Sequence, residues 1–296
     1  LTSVSGFLLL RLLHGFSTGF SPTAIATYVS DIIPNNRLGE AMGIQGLCFS
    51  TGLALGPALG SYIKLLSSYD VLFYCSSLMA ILSIVLVLQV KETLVKKQLF
   101  TLKTLQISTS DIIAKEATIP AIITFITYLG FGVVLTLIPD WSEHLGFINK
   151  GVFFIVFTIA SVLIRVIAGK LSDVYGRKIV IIIGLLLLLM ALFLLGILDS
   201  MNGMLVAATI YGLAMGVLSP TISALTIDLS KPTTKGKSIA TMFIALEAGI
   251  GLGALLSGWF YQDEISNIST AFYVCGIIVI VGIIYVGLKS FGPQKR

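Results

Sequence analysis

Three groups of residues in this chain have types and spacings that could do chemistry. The first is Gly169-Lys-Leu-Ser-Asp173-Val-Tyr-Gly176-Arg177-Lys178, a polar turn between two apolar runs. In it Asp173 supplies a carboxylate able to cap a helix N-terminus and Gly176 can take a positive φ and close the turn. Arg177 and Lys178 can anchor the next segment among anionic head groups. The second is Glu247, a lone carboxylate inside a long apolar run, placed to take up and release a proton. The third is Arg11-x-x-His14-Gly15, a cation and an imidazole one turn apart. Enzyme-like patterns are present but lack their context. Gly15-x-Ser17-x-Gly19 fits a nucleophile elbow with no strand before it, and the second histidine that an intramembrane serine protease needs, His144, falls in a loop. Gly249-x-Gly251-x-x-Ala254 has neither the strand nor the ribose-binding acid of a dinucleotide site. Cys48, Cys75 and Cys275 form no CxxC pair and no cluster with the histidines, so neither a disulfide framework nor a metal site is expected. The chain reads as a non-enzyme without cofactor.

The elements that must position these groups are membrane spans. The chain has 296 residues, 56% hydrophobic and 11% charged, against about 25% charged in ordinary soluble domains. Nine apolar segments, A to I, run over about 5–33, 39–63, 71–90, 118–138, 151–170, 179–198, 203–229, 237–260 and 270–289. Each is long enough to cross roughly 30 Å of hydrocarbon. A net charge of +5 and a pI near 9.1 raise the question of nucleic acid, but the basic residues form no patch or stripe. They follow membrane topology: 15 of the 19 lie in the loops after A, C, E, G and I. By the positive-inside rule those loops and the C-terminus are cytoplasmic, with residue 1 on the outer side.

An internal repeat explains the odd number of segments. Ser21-Pro22-Thr23 recurs as Ser219-Pro220-Thr221, Pro34 as Pro232 and Arg37 as Lys235; one deletion later, Gly52-x-x-x-Gly56 matches Gly249-x-x-x-Gly253. Segments A, B and C are thus counterparts of G, H and I, while D, E and F lack any. The chain opens on Leu1, with no signal peptide, and the start looks cut. The repeat implies a twelve-helix parent with its first three helices absent. Residues 1–90 then form the second half of an N-terminal six-helix bundle, 91–117 a cytoplasmic linker and 118–296 a C-terminal six-helix bundle.

Depth sorts the candidates. Glu247 lies about 15 Å into segment H, near mid-bilayer, where an unpaired charge costs several kcal/mol. Its helical face runs through Gly251, Ala254 and Gly258, which suits a packed interior or cavity wall and a role in proton coupling or substrate binding. A structural hydrogen bond is the plain alternative. Arg11 sits in the outer part of the membrane, facing the cavity or snorkelling outward, and His14 is a packing residue or a proton carrier. Arg165, one turn before Gly169, is near the cytoplasmic boundary and can reach outward. Gly52, Gly56 and Gly60 form a stripe allowing close helix approach, and Pro57 favours a kink. Tyr128, Asp140 and Trp141, toward an outer end, could line a substrate cavity or, for the aromatics, anchor the interface.

The spacing Gly169-x-x-x-Asp173-x-x-Gly176-Arg177-Lys178 between two spans resembles the loop signature of the major facilitator superfamily. Segment B is similar to the fifth-helix signature of its drug:proton antiporter branch, with Ser61 where a second glycine is usual. Arg11-x-x-His14-Gly15 resembles the fourth-helix element, with His14 in place of glutamine. The resemblance implies an all-α, polytopic bundle with nine of twelve transmembrane helices, working by alternating access. It makes Asp173 a latch between the halves, with its partner at the start of segment B around Gly39 to Met42, and Arg165 and Arg177 parts of the same conformational motif. The expected function is proton-coupled export of a small amphipathic or hydrophobic compound across the plasma membrane. Uptake of a metabolite by the same fold, or an inactive fragment, are the alternatives. The expected partners are that small molecule, protons and the lipid bilayer, without nucleic acid; oligomeric state stays open.

Overall fold

A computed structural model describes residues 4–93, 113–147, 151–262, 264–289 and 291; most of the predicted linker 91–117 lies outside the described residues. Nine α-helices and no strand occur among them: α1 (Val4–Ile32), α2 (Leu38–Leu66), α3 (Tyr69–Val87), α4 (Thr118–His144), α5 (Val152–Tyr175), α6 (Arg177–Ile197), α7 (Met201–Leu229), α8 (Lys235–Tyr261) and α9 (Ile268–Leu288). Each covers one of segments A to I. By length and apolarity α3, α4 and α6 to α9 can each cross a membrane, and α5 joins them if its two parts, inclined at 45°, are taken as one span.

Local chemistry shows why these residues form helices in an apolar solvent. Backbone groups are satisfied within each helix, and buried hydroxyls turn back onto carbonyls of the preceding turn. Thr124 donates to the Pro120 carbonyl at 2.8 Å, Thr221 to Val217 at 2.7 Å, Thr226 to Ile222 at 2.8 Å and Ser257 to Gly253 at 2.8 Å. Helix starts use short polar caps: Ser200 Oγ accepts from the Gly203 N–H at 3.1 Å to open α7. Between α5 and α6 the chain reverses at Gly176, whose φ of 91° is rarely adopted by residues with a side chain.

Helices α4 to α9 share one core, built from Leu129, Val133 and Leu137 of α4, Leu188 and Leu192 of α6, Tyr211 of α7 and Phe272 and Val279 of α9, among others. Within it α4 pairs with α8, α5 with α7, and α6 with both α7 and α9. The first three helices are packed differently. No residue of α3 is buried. Helices α1 and α2 reach the rest of the molecule chiefly at one end, where Ala26, Leu38 and Met42 close on Ala224, Ile227 and Ile239. Farther along, Leu12, Phe16 and Phe20 of α1 and Phe49 of α2 are exposed.

Candidate functional site

The end at which the two groups of helices meet carries the polar turn. The first turn of α2 presents unpaired N–H groups, as every helix N-terminus does. Asp173, two residues before the end of α5, takes two of them: Gly39 N–H donates to Oδ1 at 2.9 Å and Glu40 N–H to Oδ2 at 3.0 Å. This is the partner expected for Asp173 from the sequence. The approach depends on glycine at both helices. A Cβ on Gly39 would lie 2.5 Å from the Gly169 carbonyl and 2.6 Å from Ser172 Oγ, and one on Gly169 would overlap the Gly39 backbone.

Arg177 organises the same site from the first residue of α6. It donates to Asp173 Oδ1 at 2.5 Å, to Ser172 Oγ at 2.7 Å and, through Nε, to Asp228 Oδ2 at 2.8 Å near the end of α7. Ser172 in turn donates to the Gly169 carbonyl at 2.8 Å. The guanidinium is thus buried between two carboxylates instead of anchoring α6 among anionic head groups, the role expected from the sequence. Asp228 was not anticipated, although an acid one residue from the end of an apolar run was its signal. Lys178 also turns inward, donating to the Gly287 and Lys289 carbonyls at 2.7 and 2.9 Å and so closing the end of α9. Around the rim, Glu40 accepts from Arg37 at 2.9 Å and pairs with Lys170 of α5 at 3.3 Å. The hydrogen bond and the charge of Glu40 raise the Arg37 guanidinium above its ordinary value. A second tie lies at the same end, where Lys235 of α8 donates to Asp31 of α1 at 2.9 Å and to the Ser30 carbonyl at 3.2 Å.

The remaining candidates fall elsewhere. Arg165 does not reach outward: its side chain is buried, against Gly46 of α2 and 3.4 Å from Ser219 Oγ of α7. A position one turn from Gly169 leaves the direction of the side chain undetermined, and here it turns away from the boundary. Glu247 is exposed and makes no ion pair or hydrogen bond with a described residue. Gly251, Ala254 and Gly258 on its face are exposed too, because α8 packs through Gly249, Gly253 and Ser257 instead. Gly52 and Gly56 have open space where a Cβ would stand, and Gly60 meets only Leu72 at 3.5 Å. The Arg11 and Pro57 side chains lie outside the described residues, and His14 is exposed on α1. Tyr128 and Asp140 are half-buried on α4, whereas Trp141 belongs to the shared core, its ring stacked on His144 at 5.2 Å. The Trp141 indole packs in that core, and its Nε1–H is buried without an acceptor among the described residues.

The profile described as Major Facilitator Superfamily matches residues 1–112 and 121–295, nearly the whole chain. The chain belongs to the major facilitator superfamily. Among curated proteins it is 26% identical to quinolone resistance protein NorA of Staphylococcus aureus over 173 residues, covering 58% of this chain and 44% of NorA. It is also 26% identical to multidrug resistance protein 1 of Bacillus subtilis over 186 residues, 62% of this chain and 47% of that protein. The match thus spans slightly under half the length of these relatives. Two solved structures share the fold. The human organic anion transporter MFSD10 superposes with a TM-score of 0.79 over 96% of this chain and 71% of its own, at 18% identity. A double-tryptophan mutant of XylE does so with a TM-score of 0.74 over 92% of this chain and 67% of its own, at 15% identity. This superfamily member accordingly has the all-helical transporter fold and is an integral membrane protein.

Proposed function

We propose that this chain works in proton-coupled export of a small amphipathic or hydrophobic compound by alternating access. The observation that carries the reading is the Asp173 junction. Two backbone N–H bonds and a buried arginine join α2 to α5, α6 and α7 at one end, while α1 and α2 stand apart from α4 to α9 farther along. Such an arrangement is one of two states if the residues 1–90 and 118–296 rock as bodies about the 91–117 linker. With the basic loops on the cytoplasmic side of the plasma membrane, the latched end faces the cytoplasm together with the C-terminus, and this state opens outward. The names of the two bacterial relatives, which speak of resistance to quinolones and to multiple drugs, support export.

Glu247 is the proposed proton carrier, with Arg11 and His14 as its coupling groups. It stands about 18 Å along α8 from the latched end, on a face that the described residues leave uncovered. The test is movement of an amphipathic dye in inverted vesicles under an imposed proton gradient. Uptake into vesicles acidified inside, lost in Glu247→Gln with the protein still inserted, is the expected result. Transport that ignores the gradient, or survives Glu247→Gln unchanged, removes the coupling role, and movement in the opposite direction would make the protein an uptake permease.

A further inference from the structure

We infer that Arg165 is an anion-binding point of the transport path, placed to take the carboxylate of a substrate; this rests on the transport reading above and names a class of cargo for it. The guanidinium lies about eight residues from Asp173 on α5, or roughly 12 Å from the latched end. Gly46 of α2, Ser219 of α7 and Tyr128 of α4 lie within about 12–15 Å of the same end by their positions in their helices. The group is therefore set inside the span, away from its polar end. A charge at that depth persists where it has a partner, and its partner marks its use.

Among the described residues Arg165 has no partner equal to it. Its relative exposure is 8%. The Nε–H is buried without an acceptor, and the contact to Ser219 Oγ at 3.4 Å is at the long limit for a hydrogen bond. No carboxylate of the described residues pairs with it, in contrast to Arg177, which has two. The Tyr128 phenol of α4 is a titratable side chain near it. What is left is a guanidinium fork with a buried Nε–H unsatisfied and one long contact at Nη1, and the acceptor that matches this fork in shape and charge is a carboxylate, held by two parallel bonds.

Access to the fork is controlled by the junction already described. Gly46 of α2 lies against the guanidinium so closely that a Cβ there would overlap Nη1. Gly46 is seven residues from Gly39 on the same helix, so separation of α2 from α5 at the Asp173 contact also uncovers Arg165. An anionic substrate would then meet the arginine when the latched end opens and be held there as it closes.

Equilibrium binding to the purified chain in lipid nanodiscs, with no proton gradient, tests this. The probes are naphthalene-2-carboxylate and naphthalene-2-carboxamide, one apolar body with and without the charge. The wild type should bind the carboxylate at least tenfold tighter, and Arg165→Gln should lose that preference with the carboxamide affinity unchanged. Arg165→Lys keeps the charge without the fork and should weaken the carboxylate alone, about three- to tenfold; it also serves if Arg165→Gln fails to fold. Equal binding of both probes by the wild type, an unchanged preference in the variants, or equal loss of both probes would overturn the assignment. Because the assay has no gradient, failure of proton coupling in vesicles would leave this result standing, and the reverse holds as well.

Discussion

Helices α2 and α8 are counterparts in the repeat, and each carries the spacing Gly-x-x-x-Gly, but only one uses it. On α8, a Cβ at Gly249 would lie 2.7 Å from the Phe125 carbonyl and one at Gly253 would overlap the Leu129 carbonyl of α4; Gly132 of α4 meets the Ile250 backbone in return. On α2, the same spacing at Gly52 and Gly56 faces open space. Close approach in α2 occurs at its other end instead, through Gly39 and Gly46 against α5. A small-residue stripe is thus a permission for two backbones to approach, and the neighbour decides whether it is taken up.

Substitution at matched positions tests this contrast most severely. Gly253→Leu must displace the backbone of α4, which has no flexible side chain to move aside. The cost is about 3 kcal/mol or more, seen as a fall of roughly 6–12 °C in the melting temperature in detergent. Gly56→Leu should leave the stability within about 1 kcal/mol of the parent, since it adds a side chain where nothing stands and replaces a poor helix former. Equal loss in both would mean that α2 is packed along its stripe as tightly as α8.

A smaller effect is expected at the foot of α2, where packing and polar contacts coincide. Asp173→Asn removes the charge that receives two N–H groups and the Arg177 guanidinium, although Arg177 keeps Asp228. Hydrogen bonds to a charged group contribute about 1.5–3 kcal/mol each, so the latched state should lose at least about 1.5 kcal/mol relative to its alternative. A cysteine introduced by Ala26→Cys, at a position buried between α1 and α7/α8, reports the change. Its maleimide labelling in membranes should rise about tenfold in Asp173→Asn, with labelling of Phe20→Cys, already exposed, unchanged. An unaltered Ala26→Cys signal would sink the latch.

The residues that were legible in the sequence and those that were not differ in what they depend on. The nine helices follow from apolar runs, and the turn at Gly176 and the capping by Asp173 follow from local chemistry that needs one neighbour. The face of α8 that would be packed does not follow in that way. Gly249, Gly253 and Ser257 form one small-residue stripe and Gly251, Ala254 and Gly258 another, and periodicity says which residues share a face without saying which face has a helix beside it. The same holds for Arg165, whose direction is set by Gly46 and Ser219 on two other helices, and for Arg177, whose second acid comes from α7.

The second tie at the latched end should matter least, and that sets the lower limit of the comparison. Lys235 and Asp31 meet at 2.9 Å, but their side chains keep 22% and 35% of their exposure, so water and salt compete with the pair. Pairs of this kind contribute about 0–1 kcal/mol. Asp31→Asn should therefore raise labelling of Ala26→Cys by less than about fivefold, and a high-salt buffer should produce a similar rise in the parent. Combined with Asp173→Asn, the two effects should add if each tie holds the closed end independently. A combined effect well below that sum would instead make Asp31–Lys235 a consequence of the Asp173 contact, formed only once α2 has already docked on α5.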